Sequence, residues 1–358
     1  MSEQVRAALA TVIEGRTLDF DAARLAMGSV MDGEATPAQL AALLVALRMR
    51  GETVDELAGF AAAMRERVLR VEAPAGTIDV VGTGGDGSNT FNISTTAALV
   101  VAAAGIPVAK HGNRAITSRS GAADVLDALG VRIDHDAASA AADLRAFGFA
   151  FLFAPSFHPA MRHAGPTRRE IGVRTAFNLL GPLTNPAGAR RALVGVGDAA
   201  AAPRVAEVAR RLGTERTLVV NGAGVDELPL DGTGVMRDVT PDGIAISTVD
   251  PEWLGLRAAP TSDLRGGSAE ENAAITVVVL EGHGDARRDV VLLNAGAAFL
   301  AAGRVASLAD GIALAAETID AGAGRQLLER LRDSRRTHDV AKAEADAAAA
   351  AASAGGPA

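Results

Sequence analysis

Ile78-Asp79-Val80-Val81-Gly82-Thr83-Gly84-Gly85-Asp86-Gly87 reads as a short β-branched strand, Ile78–Val81, that breaks into a glycine loop. Behind it, Asn92-Ile93-Ser94-Thr95 marks the start of a helix near Ser94. Glycine admits positive φ and lets a ligand approach the backbone N–H groups. The helix N-terminus adds about half a positive charge, so strand end, loop and helix together suit an anion. The run also fits G-x-G-x-x-G. Against a dinucleotide, Asp86 sets a carboxylate where the pyrophosphate would lie, and the chain about 20 residues on (Val100-Val101-Ala102-Ala103) lacks a ribose-binding acid. A tight turn without a ligand is the other reading of the loop alone.

Outward from this unit, apolar runs alternate with Ala-rich helical stretches. Ile78–Val81 is followed by a helix over Ser94–Ala104, Ile106–Ala109 by Ser120–Leu129, and Val131–Ile133 by Asp136–Phe147; a strand over Phe149–Phe153 comes next. Ala192–Val196 and Thr217–Val220 read as further strands around a helix at Ala201–Leu212, and Met236–Thr248 as short antiparallel edge strands. Helices return at Ser268-Ala269-Glu270-Glu271 and over Val290–Ala302. This order predicts an α/β fold with a mainly parallel central sheet flanked by helices. Upstream, Leu40, Leu43, Leu44 and Leu47 recur at helical spacing, and Thr36-Pro37-Ala38-Gln39 and Thr53-Val54-Asp55-Glu56 are capping boxes. The expected organisation is a small helical domain over 1–73 and an α/β domain over 74–336, with residues about 160–190 packing on the helical part. An Ala-rich tail, 337–358, reads as fraying helix or, by preference, as disordered chain.

The chain has 358 residues, 49% of them apolar, enough for a large core. Lys and Arg number 35 against 43 Asp and Glu, a net charge of −8 that argues against wrapping nucleic acid. The absence of cysteine excludes thiol catalysis, Cys–zinc sites and disulfide scaffolds. No apolar run has the length of a membrane span, and Met1–Arg6 lacks the layout of a secretory signal, so a cytoplasmic protein is expected. A second polar cluster, Lys110-His111-Gly112-Asn113-Arg114 with Thr117, Ser118 and Arg119, follows the next predicted strand. Ligands gather at the carboxyl ends of strands in open parallel sheets. Two such clusters on consecutive strands suit a ligand phosphorylated at both ends.

Gly82-Thr83-Gly84-Gly85-Asp86, Asn92-Ile93-Ser94-Thr95, Lys110-His111-Gly112-Asn113-Arg114 and Arg174-Thr175-Ala176-Phe177-Asn178-Leu179-Leu180-Gly181-Pro182-Leu183-Thr184-Asn185-Pro186 resemble the signature blocks of the anthranilate phosphoribosyltransferase family. Gly33–Gln39, Gly51-Glu52-Thr53, His158–His163 and Val225-Asp226-Glu227-Leu228 are similar too, in family order, from about residue 10 to about 335. The resemblance implies a nucleoside-phosphorylase-like fold, a homodimer joined through the helical domain, and transfer of phosphoribose from phosphoribosyl pyrophosphate (PRPP) to the amino group of anthranilate, with Mg²⁺ as two ions. It places Gly82, Gly85, Asp86, Thr90, Asn92, Ile93, Ser94, Thr95, Lys110, His111, Gly112, Asn113, Arg114, Ala115, Ile116, Thr117, Ser118 and Ala122 at PRPP. Ser94, Asp226 and Glu227 fall to the metal, and Gly82, Asn113, Arg168 and His158 to anthranilate, with His111 and Pro182 also lining its entry. Two departures stand out: Ala122 replaces a serine common in the family, and Asn221 a histidine. No nucleic-acid or membrane partner is expected.

The chemistry agrees with the residue inventory. Breaking the anomeric bond leaves a highly charged pyrophosphate and an oxocarbenium-like sugar, so charge neutralisation and positioning are the task. An aromatic amine is neutral at physiological pH and needs no strong general base. His111 is the candidate proton acceptor, with hydrogen bonding to the substrate carboxylate as its other reading. Arg168 has the fork for a carboxylate. The rival functions are a pyrimidine-nucleoside phosphorylase of the same fold and a non-catalytic relative that binds nucleic acid.

Overall fold

The computed structural model describes residues 1–115 and 119–354, without the side chains of 347–354. The chain opens with four helices, α1 (Glu3–Ile13), α2 (Phe20–Met31), α3 (Pro37–Arg50) and α4 (Val54–Glu66). Both predicted capping boxes form: Thr36 accepts from Gln39 N–H and Thr53 from Glu56 N–H. The Glu56 carboxylate does more than cap. Fully buried, it takes the N–H groups of Thr53 at 2.8 Å and Leu18 at 2.9 Å and pairs with Arg50, so one acid ties three segments of the bundle.

The α/β part holds β1 (Ile78–Gly82), α5 (Ile93–Ala103), β2 (Val108–Gly112), α6 (Ala122–Ala128), α7 (Ala137–Phe147), β3 (Phe149–Phe153), α8 (Ala154–Phe157), α9 (Gly165–Ile171), α10 (Phe177–Leu180), β4 (Arg191–Gly195), α11 (Ala202–Arg211) and β5 (Arg216–Gly222). There follow β6 (Gly234–Thr240), β7 (Gly243–Val249), α12 (Ala269–Leu280), α13 (Ala286–Ala301), α14 (Leu308–Asp320) and α15 (Ala323–Ala354). The sheet runs β3-β2-β1-β4-β5-β6-β7, parallel through β5 and antiparallel at β6 and β7. Chain order reverses at β1, between β2 and β4, where open parallel sheets place their ligands.

One face of the sheet carries a core built with α5, α6 and α12–α15. Over Val290–Ala301 every residue of α13 is buried, which is why its sequence is apolar all round. The other face shares its core with the helical bundle, α11 and the 164–183 segment: Val81, Val194, Val219, Leu44, Phe60, Phe177 and Val205 belong to one apolar cluster.

One expectation is corrected. Val131–Ile133 is not a strand: the Val131 N–H is taken by the Leu126 carbonyl at 2.9 Å, closing the end of α6, so the segment cannot enter a ladder. The tail from Thr337 continues α15 as helix to Ala354, the first of its two readings. Alanine is the best helix former, and Arg335 to Asp127 and Lys342 to Asp134 pin the helix to the α6–α7 region. Among the described residues no helix is long and apolar enough to cross a membrane.

Candidate active site

At the carboxyl ends of β1, β4 and β5 three acids meet. Asp86, Asp226 and Glu227 each present a carboxylate oxygen, all within 4.8 Å of one another. Glycine at the strand ends makes room for them: a Cβ on Gly82 would lie 2.1 Å from Asp226 Oδ2, and one on Gly195 1.5 Å from the Asp226 carbonyl oxygen. The acids are then fixed from several sides. Gly84 N–H donates to Asp226 Oδ2 at 2.7 Å, Asp226 N–H to Asp86 Oδ2 at 3.3 Å, and Ser94 Oγ to Glu227 Oε1 at 3.2 Å. Glu227 Oε2 is buried with no hydrogen-bond partner among the described residues. Burial, and then the charge of Asp86, pushes Asp226 up to about 6; burial, then Asp226 and Asp86, pushes Glu227 well above the usual carboxylate range. Crowded, dry oxygen donors of this kind fit a hard divalent cation such as Mg²⁺. The sequence reading assigned Asp86 to the phosphorylated sugar and not to this group. Its 140-residue separation from Asp226 hides the meeting, and the glycines Gly195 and Gly197, at and just past the end of β4, are its sequence trace.

Beside the acids, the N-terminus of α5 is open. Its N-cap, Asn92, makes no capping bond: the Asn92 amide donates to Ser120 O at 3.4 Å, and its Oδ1 accepts from Asn272 at 2.9 Å. The N–H groups of Ser94 and Thr95 have no acceptor among the described residues, so donors and helix dipole face outward together. Thr90 stands next to Ser88, the hydroxyls 3.3 Å apart, and bridges to Arg265; Ile93 is buried beneath.

Below the site, β1 and β2 keep register only at Ile78 and Val108. Side chains fill the gap that opens beyond it. Asp79 accepts from His111 N–H at 3.2 Å and from Asn185 Nδ2 at 2.6 Å; Lys110 Nζ donates to Val80 O at 2.6 Å, and Asn185 Nδ2 to Ala109 O at 2.8 Å. The Asp79 carboxylate, Lys110 Nζ and Asn185 Nδ2 stand in for ladder partners of His111 N–H, Val80 O and Ala109 O. Burial pushes Asp79 up to about 6 and Lys110 down, each countered by the charge of the other. Lys110, expected at PRPP, thus lies 3% exposed within this wedge.

His111 and His158 face each other with ring centroids 5.1 Å apart. His111 Nδ1 lies 3.2 Å from the Gly181 carbonyl, next to Pro182, and so donates; Nε2 of both rings is buried with no partner among the described residues. Burial, then His158, pushes His111 down to about 3, and burial pushes His158 down to about 4, so both are neutral at pH 7. Arg168 is half-buried, its guanidinium carbon 4.7 Å from the Phe177 ring centre, and no acid pairs with it among the described residues. Arg114 turns instead to α6, binding Asp124 at 2.8 Å and Asp127 at 3.4 Å, while Ala115 N–H donates to Asp124 at 2.9 Å and Asn113 Oδ1 accepts from Arg114 N–H. Ala122 starts α6 against Gly112. Asn221 accepts from Arg237 at 2.9 Å. Ile116, Thr117 and Ser118 lie outside the described residues.

Residues 75–325 match the glycosyl transferase family, a/b domain, and residues 6–68 the glycosyl transferase family, helical bundle domain. An anthranilate phosphoribosyltransferase of Azorhizobium caulinodans is 51% identical over 330 residues, 92% of this chain and 96% of that protein. The crystal structure of the anthranilate phosphoribosyltransferase from Thermus thermophilus superposes with a TM-score of 0.87 at 46% identity, covering 92% of this chain and 99% of that one. The Saccharomyces cerevisiae enzyme in complex with PRPP and Mg gives 0.86 at 27% identity, covering 94% and 99%. With 4-fluoroanthranilate bound, the yeast enzyme gives 0.82 at 26%, covering 93% and 98%.

Proposed function

The chain belongs to the anthranilate phosphoribosyltransferase family, and we propose how its residues divide the work of the reaction. It transfers the phosphoribosyl group of PRPP to the amino group of anthranilate in a Mg²⁺-dependent step of tryptophan biosynthesis, giving N-(5-phosphoribosyl)anthranilate and pyrophosphate. The C1–O bond to pyrophosphate breaks, its electron pair leaving with the pyrophosphate. The amine lone pair forms the C1–N bond, and the nitrogen then sheds a proton.

Asp86, Asp226 and Glu227, with Ser94 at their edge, would hold the metal as two ions, and bound Mg²⁺ neutralises charge on the departing pyrophosphate. The open first turn of α5 receives phosphate oxygens through the Ser94 and Thr95 N–H groups. Arg168, stacked on Phe177 and free of an acid, takes the anthranilate carboxylate. His111, held by Gly181 in the tautomer with a bare Nε2, is the acceptor for the proton shed after attack. An N-glycosyl anilinium is a strong acid, so a base as weak as this suffices. The exposed apolar side chains of Ile13, Leu25, Val45 and Met49 on α1–α3 suit the pairing of two copies through the helical bundle.

The observation that carries this reading is the meeting of three acids with the glycine loop and an uncapped helix start at one end of the sheet. Anthranilate fluorescence should fall only with PRPP and Mg²⁺ both present, and Arg168→Ala should raise the KM for anthranilate about tenfold or more while leaving PRPP binding by calorimetry unchanged. Loss of PRPP binding in that variant would move Arg168 to the other substrate. Phosphorolysis of uridine without anthranilate consumption would make the chain a nucleoside phosphorylase.

A further inference from the structure

Arg174 belongs to the segment between α9 and α10, whose Ala176, with Phe177 at the start of α10, lies in the core shared with the helical bundle. Its guanidinium nevertheless reaches the glycine loop. Nη1 donates to both Gly84 O at 2.9 Å and Gly85 O at 2.6 Å. No acid pairs with it among the described residues. It lines a cavity of about 240 Å³ between bundle and sheet, together with Glu52, Asp86, Asn178, Asp198 and Arg204.

The peptide plane turns this contact into a statement about donors. Among the described residues the peptide bonds are trans, so each N–H points opposite to the carbonyl in its own plane. Fixing the carbonyls of Gly84 and Gly85 toward Arg174 therefore fixes the N–H groups of Gly85 and Asp86 on the far side. Neither N–H has an acceptor among the described residues. Gly84 and Gly85 take φ of 65° and 66°, left-handed values that leave successive N–H groups on one side as an anion-binding concavity. The second of these donors belongs to Asp86, one of the three clustered acids.

We propose that Arg174 is a positioning residue for the pyrophosphate of PRPP: from behind the loop, it holds the two peptides whose N–H groups receive phosphate oxygens. The proposal rests on the transferase reading above. It gives the arginine no contact with substrate; its effect passes through the loop, and it links the bundle side of the molecule to the phosphate side.

The test compares the full-length wild type with Arg174→Ala and Arg174→Lys. In Arg174→Ala, the KM for PRPP and the Kd for magnesium pyrophosphate should both rise by about tenfold or more, with the KM for anthranilate and the thermal midpoint nearly unchanged. Added methylguanidinium should restore part of the PRPP affinity to Arg174→Ala. Arg174→Lys keeps a charge and enough donors for both carbonyls but lacks the longer, planar and more rigid guanidinium, and should fall between the two. Pyrophosphate affinity within twofold of wild type would overturn the proposal. So would a parallel loss of both KM values and of thermal stability, which marks a merely structural contact. Failure of the transferase reading is seen separately, as absence of anthranilate consumption by the wild type.

Discussion

His158 sits neutral against His111 with an unpartnered Nε2, and burial holds its pKa near about 4. The unfolded imidazole titrates at about 6.5, so the folded state resists protonation. The stability from keeping this ring neutral is complete above pH 6.5 and is lost as pH falls toward 4, a difference of about 3 kcal/mol. Urea unfolding at pH 7.5 and pH 4 should therefore show a smaller acid loss in His158→Asn than in wild type, by about that amount; equal losses would mean the ring is hydrated. At this scale the sequence was legible where a motif is contiguous. Gly82 to Asp86 could be picked out by type and neighbours, whereas Asp226-Glu227 and Arg168 came through the resemblance. Asp79 and Asn185 could not. They meet across 106 residues, and their work, replacing ladder partners between β1 and β2, leaves no pattern in either segment. Arg174 was visible as part of a block, but its purchase on Gly84 and Gly85 is a fact of geometry alone.

Helices α2 and α4 cross where Gly59 leaves no side chain. A Cβ there would stand 2.4 Å from the Phe20 carbonyl oxygen and 2.8 Å from the Ala23 Cβ. Gly59→Ala should push the two helices apart and destabilise the fold by about 1–3 kcal/mol, read from the denaturation midpoint, despite alanine's better helix propensity. A stability equal to wild type would show that the crossing can relax. Helix starts were legible because a capping box is local, and Thr36, Thr53 and Ser268 all form theirs. Val131–Ile133 misled because a short apolar run bounded by turns fits a strand or a buried connection equally well. Its first N–H was already committed to Leu126. The tail stayed open between fraying helix and disorder, because composition alone does not show the anchoring by Arg330, Arg332 and Arg335 at the α6 and α7 ends that leads into the helix.

For the molecule as a whole, the alternation of strands and helices gave the parallel sheet and its flanks, but not which helices share a core with which face. The bundle's outer surface carries the proposed contact between copies. Met49, 84% exposed on α3, is the most open of its apolar side chains within a helix. Met49→Glu should shift the protein from dimer to monomer in sedimentation, because a buried charge at such a contact costs several times what the methionine contributes. An unchanged mass would place the contact elsewhere. On its inner side, the bundle has no core of its own: α3 and α4 share theirs with α10, α11 and the β1, β4 and β5 strands. The two family matches meet between residues 68 and 75, yet a cut there would leave raw oily faces on both pieces. The stretch that melts as one is therefore longer than the stretch inherited as one, and a bundle borrowed from a relative would have to bring the matching sides of α10 and α11 with it.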